Sequence, residues 1–161
     1  MNESIRILVV DDEPSQRELV SGYLKKQGYE VFIAASGDQA LELFRRQPVE
    51  LILTDQRMPN LSGLDLLKAA RAINPETQGV VMTAFGNVET AVDAMKSGAA
   101  DYLTKPLHLE ELRQKIQRIA EQHRLYAENR ALREELQSRH RIEGIIGESG
   151  QMIEVISLVQ R

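Results

Sequence analysis

The chain has 161 residues, 42% hydrophobic but only 4% aromatic and without tryptophan, so one packed core with an appendage is expected rather than two domains. Its net charge of −4 excludes the broad basic surface of nonspecific nucleic-acid binding, and direct contact with DNA is not expected. The absence of cysteine removes disulfides, thiolate metal sites and cysteine nucleophiles; with no signal-peptide pattern in residues 1–6 and no stretch long enough to cross a bilayer, a soluble cytoplasmic protein is expected.

Up to about residue 106, short apolar β-branched runs alternate with longer amphipathic segments, the pattern of successive βα units. The strands are predicted at Arg6 to Val10, Glu30 to Ala34, Leu51 to Thr54, Gly79 to Thr83 and Asp101 to Thr104. Most are too apolar to be half-exposed, which is the mark of parallel strands covered on both faces. Helix starts are signalled by Pro14, by Ser36 three residues before Gln39, by Ser62 three before Asp65, and by Asn87 ahead of an acidic turn. Gly28 and Gly98 mark helix ends. Short connections and right-handed crossovers then predict a doubly wound α/β fold, a flavodoxin-like five-stranded parallel sheet of order 2-1-3-4-5.

After Pro106 the texture changes. Leu107 to Ile142 has neither glycine nor proline and reads as one long helix. Leu109, Leu112, Ile116 and Ile119 pack its first turns on the sheet. Leu125, Asn129, Leu132 and Leu136 follow spacings of four, three and four, which places Asn129 and Leu136 at a and Leu125 and Leu132 at d of a heptad. Glu128 is then a g residue and Arg133 an e residue, an attractive pairing across a parallel two-stranded coiled coil. A C-terminal helical coiled-coil extension and a homodimer are therefore expected, against the alternative of a single exposed helix laced with ion pairs. The helix carries eight Lys or Arg against six Asp or Glu, scattered, so no DNA-gripping basic region is present. In the tail, Ile145 to Gly150 reads as a loop, with Ser149 as the N-cap of an apolar helix from Met152 to Val159. Gly147 to Gly150 opens like a phosphate-binding loop, but Gln151 and Met152 stand where its closing Gly-Lys-Ser/Thr should come.

The predicted strand ends all lie on one edge of the sheet, and they carry Asp11 and Asp12, Asp55, Thr83, and Lys105 with Pro106. Ligands of open α/β sheets bind outside the carboxyl ends of the strands where strand order reverses, here between the first and third. Three carboxylates gathered there must share protons or bind a hard cation, and an all-oxygen donor set suits Mg²⁺. Each residue also has a plain reading, since aspartate is common after strands, threonine within them, and most lysines are merely solvated. It is their joint placement that points to function.

Over roughly residues 4 to 122 the sequence resembles a two-component response regulator receiver domain. The motifs are Val9-Val10-Asp11-Asp12-Glu13-Pro14, Thr54-Asp55-Gln56-Arg57-Met58-Pro59 with Gly63, Met82-Thr83-Ala84, and Tyr102-Leu103-Thr104-Lys105-Pro106. The resemblance implies that Asp55 accepts a phosphoryl group from the histidine of a sensor histidine kinase. It also implies that Asp12, Asp55 and the main-chain carbonyl of Arg57 ligate Mg²⁺, with Asp11 acting partly through water. Lys105 then pairs with a phosphoryl oxygen, Thr83 and Tyr102 are the switch hydroxyl and aromatic, and the Lys105-Pro106 bond is cis. Such a module is a regulatory domain rather than an enzyme, assisting only its own phosphorylation and slow dephosphorylation. The face of the fourth helix, fifth strand and fifth helix is a second candidate dimer surface.

Ile145-Ile146-Gly147-Glu148-Ser149 after the long helix is similar to the nitrogen-regulatory-protein-C group of sigma-54-dependent activators. That likeness implies a receiver over 1–122, a helical coiled-coil linker over 123–142, and the start of a truncated AAA+ domain over 143–161, with AAA+ and DNA-binding domains downstream. Other readings are a receiver attached to a different output, a constitutive dimeric scaffold with a degenerate site, and a flavodoxin-like flavoprotein. The last is disfavoured because the turn after the first strand is acidic rather than a glycine- and hydroxyl-rich phosphate cradle.

Overall fold

The computed structural model describes residues 5–84 and 88–149, with the side chains of 88, 90 and 141–149 outside that description. The five apolar runs form the strands β1 (Arg6–Val10), β2 (Glu30–Ala34), β3 (Leu51–Asp55), β4 (Gln78–Ala84) and β5 (Asp101–Lys105). Between them lie α1 (Pro14–Lys26), α2 (Gly37–Arg46), α3 (Gly63–Ile73) and α4 (Val88–Lys96), and α5 (Leu109–Ser149) follows. Asp55 and Lys105, expected just beyond their strands, are the last residues of β3 and β5, and β4 extends one residue beyond expectation at each end.

The helix signals act as local chemistry dictates. Pro14 occupies the first turn of α1, where a missing N–H costs nothing. The Ser36 hydroxyl accepts from the Gln39 N–H at 3.1 Å while Gln39 Oε1 accepts from the Ala35 N–H at 2.7 Å, and Ser62 accepts from the Asp65 N–H at 3.2 Å. Gly28 and Gly98 follow α1 and α4 at φ of 97° and 96°, the left-handed conformation that ends a helix without a Cβ penalty. The Asn87 signal falls outside the described residues.

All strand pairings are parallel, in the order β2-β1-β3-β4-β5. Alternation along the strands sends residues to two apolar layers. Ile7, Val9, Leu51, Leu53, Val80 and Met82 meet Val20 and Leu24 of α1 and Leu112, Ile116 and Ile119 of α5. Leu8, Val10, Ile52 and Val81 meet Phe44 of α2, Leu66 and Leu67 of α3, and Ala94 of α4. Burial of both layers leaves the strand ends as the place where polar groups can gather.

The chain divides into two compact units, Met1–Glu121 and Gln122–Arg161. In the second unit Leu125, Tyr126, Leu132 and Leu136 are exposed along the helix. Arg124 pairs with Glu128 and Arg139 with Glu135, both at 3.0 Å and one turn apart. The helix starts at Leu109 rather than Leu107 and continues to Ser149, through the stretch expected to be a loop. Ser149 is therefore its last residue and does not cap a new helix. A glycine costs a helix about 1 kcal/mol, yet extending an existing helix needs no new nucleation, so Gly144 and Gly147 do not stop it. The tail from 150 onward, with the expected helix from Met152, lies outside the described residues.

Candidate functional site

The parallel register brings the strand ends together. Val10 pairs with Thr54, Asp55 with Met82, and Ala84 with Lys105, so residues at or just past those ends line one cleft. The cleft is lined by Asp12, Glu13, Asp55, Gln56, Arg57, Thr83, Ala84 and Lys105. Asp11 lies beneath it, fully buried and followed by exposed Asp12.

Main-chain bonds anchor each acid. The Asp11 N–H donates to the Ala34 carbonyl at 3.2 Å, and its Oδ1 accepts from the Glu13 N–H at 3.0 Å. Arg17 Nη1 donates to the Asp11 carbonyl at 2.7 Å, tying α1 to the loop after β1. Around Asp55, Oδ1 accepts from the Arg57 N–H at 3.3 Å, and the Thr54 hydroxyl donates to the Asp55 carbonyl at 3.0 Å. Gln56 donates its N–H to the Met82 carbonyl at 2.9 Å, and its Oε1 accepts from the Leu64 N–H at 3.1 Å, so the loop after β3 is stitched to β4 and α3. At Gly63 any Cβ would collide with the Asp55 carbonyl oxygen, which makes glycine the residue that lets α3 start this close to the acid.

Lys105 reaches past the end of β4. Its Nζ lies 3.0 Å from Asp55 Oδ2 and 3.5 Å from Asp11 Oδ2, with the side chain 24% exposed. Burial alone would lower the lysine's pKa, but the hydrogen bond and charge of Asp55, joined by Asp11, outweigh it and hold the group as an ammonium. Burial pushes the Asp11 carboxyl up, and the nearby Asp55 charge adds to that, against the pull of the Glu13 N–H and Lys105.

Asp11, Asp12 and Asp55 each offer one carboxylate oxygen within 4.8 Å of the others. Asp11 Oδ2 is buried with no hydrogen-bond partner, its separation from Lys105 being an ion pair without hydrogen-bond geometry. A buried oxygen left without a donor beside two more carboxylates is what a hard divalent cation would satisfy, so these residues fit Mg²⁺. The Thr83 hydroxyl is the other buried side-chain polar atom without a hydrogen-bond partner among the described residues.

Of the residues singled out from sequence, Asp11, Asp12, Asp55, Arg57, Thr83 and Lys105 converge here. Tyr102 does not line the cleft: it sits on β5 opposite Val81, half-buried, with the Lys115 ammonium 5.1 Å from its ring centroid. The Lys105-Pro106 bond is cis. Sequence reasoning missed Arg17 and Lys115, because a basic residue on an amphipathic helix carries no signal beyond solvation.

An acidic cleft faced by one ammonium, at the carboxyl edge of a 2-1-3-4-5 parallel sheet, defines a flavodoxin-like α/β module built around that cleft. The chain belongs to the response regulator receiver domain family, whose sequence profile matches residues 7–117. It is similar to transcriptional regulatory protein ZraR of Escherichia coli K12, 42% identical over 132 residues that cover 81% of this chain and 30% of ZraR. Regulatory protein AtoC of the same strain is 37% identical over 150 residues, covering 93% of this chain and 32% of AtoC. The crystal structure of NtrX from Brucella abortus superposes with a TM-score of 0.75 at 35% identity, over 80% of this chain and 29% of that one. The chain thus spans about a third of the length of these curated relatives. No helix among the described residues is long and apolar enough to cross a membrane.

Proposed function

We propose that Asp55 accepts a phosphoryl group from the histidine of a sensor kinase and that the acyl phosphate switches a dimeric output. The observation that carries this reading is Lys105 Nζ at 3.0 Å from Asp55 Oδ2, beside the partnerless Asp11 Oδ2. In the transfer an Asp55 carboxylate oxygen forms a bond to phosphorus as the phosphorus–nitrogen bond breaks, and the imidazole keeps that electron pair. Such a reaction needs placement and charge neutralisation more than covalent help. Asp11, Asp12, Asp55 and the Arg57 carbonyl would hold Mg²⁺, which when bound supplies neutralising charge for phosphoryl oxygens. Lys105 supplies the second positive charge, and the Arg57 N–H holds Asp55 in place.

The acyl phosphate offers new strong acceptors, which favour a state with the Thr83 hydroxyl turned toward them. That shift vacates space for the Tyr102 ring, and its reach equals the differential stabilisation of the two states. The output is a homodimer formed through the coiled-coil part of α5, with the α4-β5-α5 face as a second surface. Exposed Leu125, Leu132 and Leu136 support this seam. Likeness to longer transcriptional regulators supports a cytoplasmic sigma-54-dependent activator whose AAA+ and DNA-binding domains lie beyond residue 161. Incubation with a small phosphodonor and Mg²⁺ tests the central step. Label is expected on the wild-type chain and on Asp38→Ala, but not on Asp55→Ala; label persisting in Asp55→Ala refutes the reading.

A further inference from the structure

Four groups converge on the ammonium of Lys115, which α5 contributes within the unit Met1–Glu121. It stands 3.0 Å from Asp101 Oδ1, donates to the Tyr102 carbonyl oxygen at 2.7 Å, lies 3.6 Å from Glu111 Oε1 and is 5.1 Å from the centroid of the Tyr102 ring. The Tyr102 N–H donates to the same Asp101 Oδ1 at 2.8 Å. Both main-chain polar groups of Tyr102 are thus engaged by side chains, which is how a strand with no outer neighbour among the described residues satisfies them. A helix lysine is ordinarily a hydrated charge on a flexible stem. Here its side chain is only 19% exposed and is fixed by groups of β5 and by Glu111.

The contacts differ in what they depend on. Bonds to the Tyr102 carbonyl and to Asp101 survive any rotation of the tyrosine side chain, because neither partner moves with the ring. The cation–π contact does not survive it. An ammonium held by the backbone of β5 therefore favours the one ring position that lies under it. We propose that Lys115 is a positioning residue whose ammonium holds the Tyr102 ring where it stands here, so that α5 sets the resting equilibrium of the switch. This rests on the reading of Tyr102 as the switch aromatic.

The test uses the whole chain with its four tyrosines replaced by 3-fluorotyrosine, the Tyr102 fluorine signal being assigned through Tyr102→Phe. The signal is followed during titration with beryllium fluoride and Mg²⁺. In Lys115→Met it should start displaced toward the saturated position, and the titration midpoint should fall about two- to fivefold, the value of one partly exposed cation–π contact. Lys115→Arg, which keeps a cation able to stack on the ring, should restore the wild-type midpoint. Asp101→Asn removes the carboxylate that fixes the ammonium but keeps an acceptor for the Tyr102 N–H, and it should shift the midpoint in the same direction. If Lys115→Met does not fold, that variant decides. Labelling of Asp55 by a small phosphodonor should remain in the Lys115 and Asp101 variants. A Tyr102 signal that responds in the wild type but is unaltered in Lys115→Met and Asp101→Asn overturns the role of Lys115 alone. A wild-type signal indifferent to beryllium fluoride overturns the switch reading and the inference together.

Discussion

Lys105 Nζ stands 3.0 Å from Asp55 Oδ2, although fifty positions separate the two residues and β4 lies between their strands. This pair neutralises part of an acidic cluster that would otherwise repel itself, so its removal has two opposite consequences. Lys105→Met should lower stability in metal-free buffer by about 1–3 kcal/mol, the loss of a charged hydrogen bond. The same change should tighten Mg²⁺ binding, because the carboxylates then face no competing cation. Urea unfolding and calorimetric titration measure the two, and weaker Mg²⁺ binding in the variant would contradict the assignment.

The buried Asp11 carboxyl gives a pH dependence with a definite sign. Burial raises its pKa in the folded chain, so the folded state holds that proton more tightly than the unfolded one. The contribution is fully present below the unfolded value of about 3.9 and is lost as pH rises through the folded value. Asp11→Asn is free of this loss. Without metal its stability relative to wild type should grow as pH rises above about 4 and level off once pH has passed the raised folded value of Asp11, in urea unfolding followed by circular dichroism. Added Mg²⁺ should reverse the ranking, since a ligand at a hundred times its Kd stabilises by about 2.7 kcal/mol.

Gly63→Ala places a methyl group against the Asp55 carbonyl oxygen. Either α3 or the end of β3 must shift, at a cost of about 1–3 kcal/mol for an overpacked site. Because the displaced atom belongs to the acceptor residue, phosphodonor labelling should slow along with the fall in the urea midpoint. A variant as stable and as readily labelled as wild type would show that the close approach does not matter.

Leu132→Asp puts a charge at a d position of the proposed coiled coil, where the side chain is 60% exposed in the single chain. Sedimentation should find the variant monomeric and the wild-type chain dimeric. The secondary structure of the single helix should be unaffected, since its internal Arg124-Glu128 and Arg139-Glu135 pairs remain. A dimer that persists would disprove the register.

Much of the fold was legible because the rules involved reach only three or four residues. Ser36 and Ser62 cap helices through the N–H three positions on, Gly28 and Gly98 end helices by adopting positive φ, and the apolar runs predict parallel strands covered on both faces. The tail shows the limit of the same reasoning. Ile145 to Gly150 reads as a loop, but the helix already formed upstream carries through to Ser149.

Sequence by itself determined which residues stand at the carboxyl edge of the sheet, because strand order and side-chain alternation follow from local pattern and handedness. Only the tertiary structure decided that Lys105 bonds Asp55 more closely than Asp11, and that Asp11 keeps an oxygen without a donor. It alone also decided that Arg17 and Lys115, unremarkable as helix residues, hold the Asp11 and Tyr102 carbonyls. Such contacts join residues distant along the chain, and their distances are set by how strands pair and helices pack, which no local periodicity encodes.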